Sequence, residues 1–348
     1  MQSKEIKFSA QVKEEEISLT FIKNYNTSFT DFFEFEREWF FRAYSSFKDY
    51  EVIVVSDNST DDSVKIASEF NTNIIELPEN KGPGNARNEG AKIAQGDILL
   101  FIDSDVIINK DSLSLIIDKF TSGKVEAIQG IYSHEPTYES SATQFYQSYL
   151  HYYVWSINKK YASTLVTGCF AIKKDIFNKF EGFDVNIQKA SCEDEKFGYS
   201  LIKNGYKILI LRDLQVIHRV NYNLIKFIKR RFGQDLDRIK FYLREKTYMN
   251  KIKQINYSKV IIGIPIIGLI LLSIFFSFLY ENNFIWYIFI LLNLFYISLH
   301  LGFLKFVAYT KGFKRAFVSL FIFYIDTFLM LMAMSLGFII FYIFKKEY

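Results

Sequence analysis

The sequence predicts an α/β head, built on a mostly parallel sheet flanked by helices, followed by C-terminal transmembrane α-helices. Three observations carry this reading. Short β-rich runs alternate with helical stretches from residue 17 to residue 131, and such alternation implies a parallel sheet covered on both faces. Three long apolar stretches close the chain, each long enough to cross a bilayer. Charge divides the chain at the same places. Residues 1–222 hold 25 Lys and Arg against 32 Asp and Glu, residues 223–259 hold 11 against 3, and residues 260–348 hold 6 against 3. An acidic head, a basic collar and an apolar tail are three different physical objects.

Composition limits the function classes. The 348 residues are 50% hydrophobic and 23% charged, too apolar for a disordered chain and too charged for one wholly inside a membrane. Two cysteines exclude a disulfide scaffold and a cysteine-rich zinc site, and four histidines leave little scope for a histidine-built metal centre. In the head, residues 17–22, 51–55, 73–76, 97–102 and 125–131 read as strands. Residues 31–46, 61–70, 85–95 and 111–122 read as helices. Ligands of such sheets bind beyond the carboxyl ends of the strands, so the loop after each strand is the first place to look.

Three polar clusters stand there. Ser56-Asp57-Asn58-Ser59-Thr60-Asp61-Asp62 comes after the second strand, LPENKGPGNARNEG (residues 77–90) after the third, and Asp103-Ser104-Asp105 after the fourth. Taken singly, each also reads as a turn or a helix cap. Together they bring carboxylates, glycine-rich backbone and a helix N-terminus to one edge. The Asp-Ser-Asp run ends the hydrophobic strand DILLFIDSD, which throws two hard oxygens towards one spot, a donor set suited to Mg²⁺ or Mn²⁺ held with a diphosphate. No P-loop and no G-x-G-x-x-G is present.

The ordered series VVSDNSTDDS, NKGPGNARNEGAKIAQGDILLFIDSD, GFD and CEDEKFGYSLIKNGYKI resembles a family 2 glycosyltransferase of the GT-A fold, over roughly residues 17–220. The resemblance implies a nucleotide-diphospho-sugar donor and a divalent ion. Residue by residue, it implies that Asp57 holds the nucleobase and that the loop with Asn80, Gly82 and Arg87 lines the nucleotide. It implies that Asp103 lies nearer the ribose and Asp105 nearer the metal, the two forming the metal-binding pair, with His218 as a further metal or diphosphate contact. Glu193 belongs with the donor-binding residues, and Asp194 beside it is the implied catalytic base. Two departures stand out. Lys23-Asn24-Tyr25-Asn26 lacks the proline of the family's Pro-x-Tyr-Asn. The Gln-x-x-Arg-Trp of processive synthases is absent, its nearest string being Arg230-Arg231-Phe232-Gly233-Gln234.

The tail supplies the setting. Residues 260–279, 284–304 and 317–344 read as membrane spans, interrupted by Asn293, His300 and Asp326. One Asp costs about 3 kcal/mol on the insertion scale, and the seventeen Leu, Ile, Phe and Val of the third span outweigh it. Residues 223–246 alternate apolar and basic positions at helical spacing, as in an amphipathic helix on an anionic membrane surface. Lys246, Lys251, Lys253 and Lys259 before the first span, and Lys305, Lys311, Lys314 and Arg315 between the second and third, put the head and that second link in the cytoplasm. The polar, acidic N-terminal residues do not read as a signal peptide. The aromatic stretch 144–161 reads equally as an acceptor-binding or a packed helix.

The expectation is therefore a multi-pass protein of the cell membrane with a cytoplasmic catalytic head. It would be an inverting glycosyltransferase moving one sugar to a lipid-linked acceptor such as a polyprenyl phosphate, a lipid-linked oligosaccharide or a glycolipid. The alternatives are a processive polysaccharide synthase and a catalytically inactive membrane assembly subunit. Nucleic acid is not an expected partner, because the head is acidic and the basic collar abuts the bilayer.

Overall fold

The computed structural model describes residues 17–22, 50–70, 72–123, 125–135, 137–156, 159–187, 192–244, 258–280 and 283–343. The helix expected at 31–46, the Lys23–Asn26 run and the end of the collar lie outside these residues. Among the described residues, eight strands form one sheet in the order β3-β2-β1-β4-β7-β6-β8-β5. They are β1 (Ile17–Ile22), β2 (Tyr50–Ser56), β3 (Asn73–Glu76), β4 (Ile98–Asp103), β5 (Val106–Ile107), β6 (Ala127–Tyr132), β7 (Cys169–Lys173) and β8 (Ile208–His218). The block β3-β2-β1-β4 is parallel throughout. β7 then enters antiparallel between β4 and β6, and β8 runs parallel to β6. The sheet is thus mixed, with its parallel block where the sequence alternation is clearest.

Helices cover both faces: α1 (Ser63–Ala67), α2 (Pro83–Ile93), α3 (Ser112–Ser122), α4 (Ser141–Ser156), α5 (Lys174–Lys179) and α6 (Glu193–Lys203). A central strand in such a layer is buried on both sides and reads as an unbroken apolar run. In β4, Ile98 to Ile102 are all buried. Alternate residues serve different cores, because side chains along a strand point to opposite faces. Ile98, Leu100 and Ile102 pack with Leu113, Ile116 and Phe120 of α3. Leu99 and Phe101 pack with Ala86 of α2 and with Phe177, Phe183 and Phe197. The β4 backbone is therefore immobilised from two sides, and the Asp103–Asp105 turn at its end inherits that rigidity.

The C-terminal part is α7 (Leu224–Arg244), α8 (Ser258–Leu279), α9 (Asn283–Lys311) and α10 (Phe313–Phe338), the last extended by a π turn over Ile339–Ile343. The last three are long and apolar enough to cross a membrane. α9 runs past the expected end of its span, so Lys305 and Lys311 belong to the helix. The turn into α10 is Gly312 alone, at φ 89°, a conformation that glycine adopts without a Cβ clash. Two seams join head and tail. α4 lays Phe145 and Tyr149 against Phe303 of α9 and Phe323 of α10, with Phe145 and Phe323 centroids 4.9 Å apart. This face of the aromatic stretch is packed. α7 is one amphipathic helix, as its pattern predicts, and its buried face meets protein: Arg231 is paired with Asp326 of α10.

Candidate active site

The edge formed by the carboxyl ends of β2, β3 and β4 gathers the residues singled out from the sequence. β1 lies between β2 and β4, and its Ile22 pairs with both Val55 and Asp103, which levels the two strand ends. Asp57 comes directly after β2 and is 5% exposed. Its carboxylate accepts hydrogen bonds from the Lys81 N–H (2.9 Å), the Gly82 N–H (2.8 Å) and the Asn80 side-chain amide (2.7 Å). Gly82 caps α2 at φ 88°, a left-handed backbone that aims the N–H inward at no steric cost. Burial raises the Asp57 pKa above the usual carboxylate value, against the pull of those backbone donors. Asp57, Asn80 and Gly82 thus form one unit, the corner where the chain enters α2.

Arg87, one turn further along α2, forms a second unit. It is 1% exposed and reaches two carboxylates, Asp103 at 2.7 Å and Glu193 at 3.0 Å. Its guanidinium also stacks on the Phe183 ring at 5.2 Å. Burial opposes the charge, and Asp103, Glu193 and Asp194 outweigh it, so its pKa stands above the ordinary arginine value. Phe183 belongs to the Gly-Phe-Asp run, which Asn88 pins to α2 by bonds with the Phe183 N–H and C=O at 2.9 and 2.8 Å. Asp194 occupies the first turn of α6 between Glu193 and Glu195, and its carboxylate accepts the Glu195 N–H at 2.8 Å. Burial and the two flanking glutamates push its pKa well above the usual carboxylate range.

The third unit is Asp105 with His218. β5 pairs antiparallel with the end of β8 and sets Val106 opposite His218, so the preceding Asp105 meets the imidazole. His218 Nε2 lies 3.2 Å from Asp105 Oδ2, while the buried Nδ1 has no hydrogen-bond partner among the described residues. Burial opposes the Asp105 charge, but His218 and Arg230 outweigh it and hold the carboxyl below its usual range. Tyr132, at the end of β6, stacks on His218 with centroids 4.6 Å apart. After burial, the charges that most raise the Tyr132 pKa are Asp103 and Asp105, with Asp194 also contributing. The aspartates of the second and third units thus all oppose ionisation of this one phenol.

This geometry suits a divalent cation. Among the described residues no three His, Cys, Asp or Glu side chains form a ready-made metal cage. Asp105 and His218 offer one carboxylate and one imidazole, and Asp103 spends Oδ1 on Arg87. A Mg²⁺-type site of one or two carboxylates completed by substrate phosphates has this donor set.

Sequence patterning missed Tyr132, Tyr222 and Arg230. Tyr222 is buried, its hydroxyl has no hydrogen-bond partner among the described residues, and the Arg230 guanidinium lies 5.5 Å above its ring. Tyr222 also packs edge-on against Tyr146 of α4, whose ring lies 6.2 Å from that of His218. The other face of the aromatic helix thus borders the site. A signal existed for Arg230, which opens the string nearest to Gln-x-x-Arg-Trp. Both cysteines are buried, and burial with the nearby Asp103 pushes the Cys169 thiol up to about 12, which leaves it inert.

Residues 39–180 match the model of glycosyl transferase family 2. This matched segment is less than half of the chain. Over 179 residues the chain is 30% identical to the poly(ribitol-phosphate) beta-N-acetylglucosaminyltransferase TarS of Staphylococcus aureus strain MW2, covering 47% of this chain and 29% of that protein. Over 184 residues it is 26% identical to the O-antigen chain rhamnosyltransferase WbaN of Salmonella anatum, covering 49% of this chain and 57% of that protein. The chain thus spans less than two thirds of either curated relative. In three dimensions it resembles the mannosyltransferase PcManGT of Pyrobaculum calidifontis, in complex with GDP-Man and Mn²⁺, with a TM-score of 0.55 at 14% identity, covering 96% of this chain and 88% of that one. The likeness shows the fold, which is GT-A.

Proposed function

We propose that this chain is a family 2 glycosyltransferase, a membrane-anchored inverting enzyme that moves a sugar from a nucleotide-diphospho-sugar to a lipid-linked acceptor. The observation that carries the reading is the bridging of Asp103 and Glu193 by buried Arg87, which ties the end of β4, and with it the Asp105–His218 pair, to the α6 turn that holds Asp194. Asp57, Asn80 and Gly82 offer a fixed polar corner to the nucleobase, and Asp103 faces the ribose. Asp105 and His218 would hold Mg²⁺ or Mn²⁺, which when bound supplies Lewis-acid neutralisation of the leaving diphosphate. Arg230 and the Tyr222 hydroxyl, unpartnered among the described residues, add a cation and a donor beside that pair.

Asp194 is the base. It takes the proton of the acceptor hydroxyl while that oxygen bonds to the anomeric carbon and the bond to the diphosphate oxygen breaks. One displacement inverts the configuration. A raised pKa suits a general base, because efficiency is greatest when the pKa approaches the working pH. The lipid-linked acceptor is supported by the seams: α4 borders the site on one face and packs on α9 and α10 with the other. On this reading residues 1–222 are the catalytic domain, 223–259 the juxtamembrane segment and 260–348 the membrane region, with the head and the α9–α10 turn cytoplasmic by their basic residues.

The deciding experiment is a donor screen on the full chain in lipid nanodiscs, with and without Mn²⁺, reading nucleoside diphosphate release and sugar transfer to a lipid-linked oligosaccharide or glycolipid, which attack through a hydroxyl, and to polyprenyl phosphate, which attacks through an ionised oxygen and needs the base less. Metal-dependent single additions to the lipid are expected. Sugar found only on a soluble acceptor, or long polymers, would overturn the reading.

A further inference from the structure

We propose that the membrane-spanning helix α10 positions the catalytic turn of α6 through one charged face of α7, with Asp326 and Arg231 as positioning residues for Asp194. The inference rests on the reading of Asp194 as the base. Asp326 is 3% exposed in the middle of an apolar helix. Arg231 meets it with both arms of its guanidinium, Nε to Oδ1 at 2.6 Å and Nη2 to Oδ2 at 3.1 Å. The contacts do not stop there. Arg231 lies 3.8 Å from Asp235, Asp235 accepts from Arg238 Nη1 at 3.1 Å, and Arg238 Nε donates to Glu195 Oε1 at 2.8 Å. Tyr242 donates to the other Glu195 oxygen at 2.9 Å. Glu195 is the neighbour of Asp194 and gives it its backbone hydrogen bond.

Residues 231, 235, 238 and 242 are spaced by four, three and four, so they share one face of α7. That face runs from the apolar helix to the head and alternates in sign along the way. On the far side of Asp194, Glu193 is held by Arg87, which also holds Asp103. The base therefore sits between two glutamates, one anchored to the donor-binding helix α2 and the other to the membrane helix α10. Among the described residues the one hydrogen bond to the Asp194 side chain comes from the Glu195 backbone, so its position is inherited from these two anchors.

If the Arg231–Asp326 pair served only to shelter a buried carboxylate, the effects of breaking it would stay in α7 and α10. Three full-chain variants in nanodiscs separate the cases: Asp326→Asn, Asp326→Glu and Arg238→Gln. Hydrogen exchange of the amides at residues 193–197 is read with Mn²⁺-dependent binding of UDP and GDP and with the kcat of sugar transfer. Asp326→Asn and Arg238→Gln should each speed exchange in that turn and lower kcat roughly 10- to 100-fold, the scale of a small misplacement of a reacting group, at unchanged nucleotide affinity. Asp326→Glu should restore most of both. Unchanged exchange at 193–197 with unchanged kcat, or loss of nucleotide binding in parallel with kcat, would overturn the proposal. Arg238→Gln lies on the head side of the relay and reads the link even where Asp326→Asn fails to insert. Asp194→Asn, run in parallel, keeps the two readings apart. If it transfers sugar normally, the assignment of the base fails; if it is inactive while the relay variants are normal, only the relay fails.

Discussion

Asp194 illustrates how one carboxylate can serve activity against stability. Burial and the charges of Glu193 and Glu195 raise its folded-state pKa. A raised carboxylate pKa means that the folded chain binds more protons than the unfolded one between the ordinary value and the raised one. Stability therefore falls as pH climbs through that window. The same ionisation creates the base, so transfer should rise with pH over an acid limb displaced above the usual carboxylate range, measurable as the pH profile of kcat. Asp194→Asn should lower kcat about 10²–10⁴-fold while leaving nucleotide affinity unchanged in equilibrium binding. It should also melt higher than the parent at neutral pH, with the gap closing as pH drops to ordinary carboxylate values. A variant that is inactive and less stable at neutral pH would mean that Asp194 is a structural acid.

At the scale of elements, α2 is the member on which the site depends. Arg87 is its buried centre, and removing a buried partner leaves the other charges uncompensated, at a cost of about 3–5 kcal/mol. Arg87→Met should show a loss of that size in denaturant unfolding, together with weakened donor binding, because Asp103 and Glu193 would repel one another. Substituting Gly168 tests the opposite wall. A Cβ there would collide with the Tyr132 ring, so Gly168→Ala should displace that ring from His218 and weaken Mn²⁺-dependent nucleotide binding without altering Asp57. The sequence made the first of these walls legible and, apart from the His218 that the family resemblance singled out, hid the second. Asp57, the Asn80–Arg87 loop and Asp103-Ser104-Asp105 are local runs at strand ends, so their shared edge is dictated by alternation alone. The wall of Tyr132, His218 and Tyr222 depends on β7 entering antiparallel and on β8 returning beside β6. Neither can be read from a short run such as Cys169–Lys173, four apolar residues and a lysine, which fits either strand direction. The docking of α7 was hidden for a related reason: an apolar, basic helical stripe looks the same whether it faces lipid or protein, and Asp326, its partner, lies 95 residues away from Arg231.

For the molecule as a whole, the question is whether the apolar tail is a tether or a part of the enzyme. A tether can be cut without harm to the head, but the seams argue against that. Phe145 and Phe227 are buried to within 2% of full burial, and Phe145 packs on Phe303 and Phe323 from the tail as well as on Phe227. Uncovering such a side chain costs about 1.5–3 kcal/mol, and Tyr149 and Tyr152 share the same face. The loss also strips Arg231 of Asp326 and leaves its guanidinium with Asp235 at 3.8 Å. Asp57 and the α2 corner, beside the parallel block β3-β2-β1-β4, are held by bonds from Asn80, Lys81 and Gly82 of the head. A chain ending after Arg244 should therefore behave as a split object. It should self-associate in water and be dispersed by detergent, as read by size-exclusion chromatography. In detergent it should still bind a nucleoside diphosphate, because that corner is built from the head alone, yet transfer no sugar, because the α4 face and the α6 turn have lost their supports. A fragment that stays monomeric in plain buffer and transfers sugar at the rate of the full chain would show that the tail only tethers.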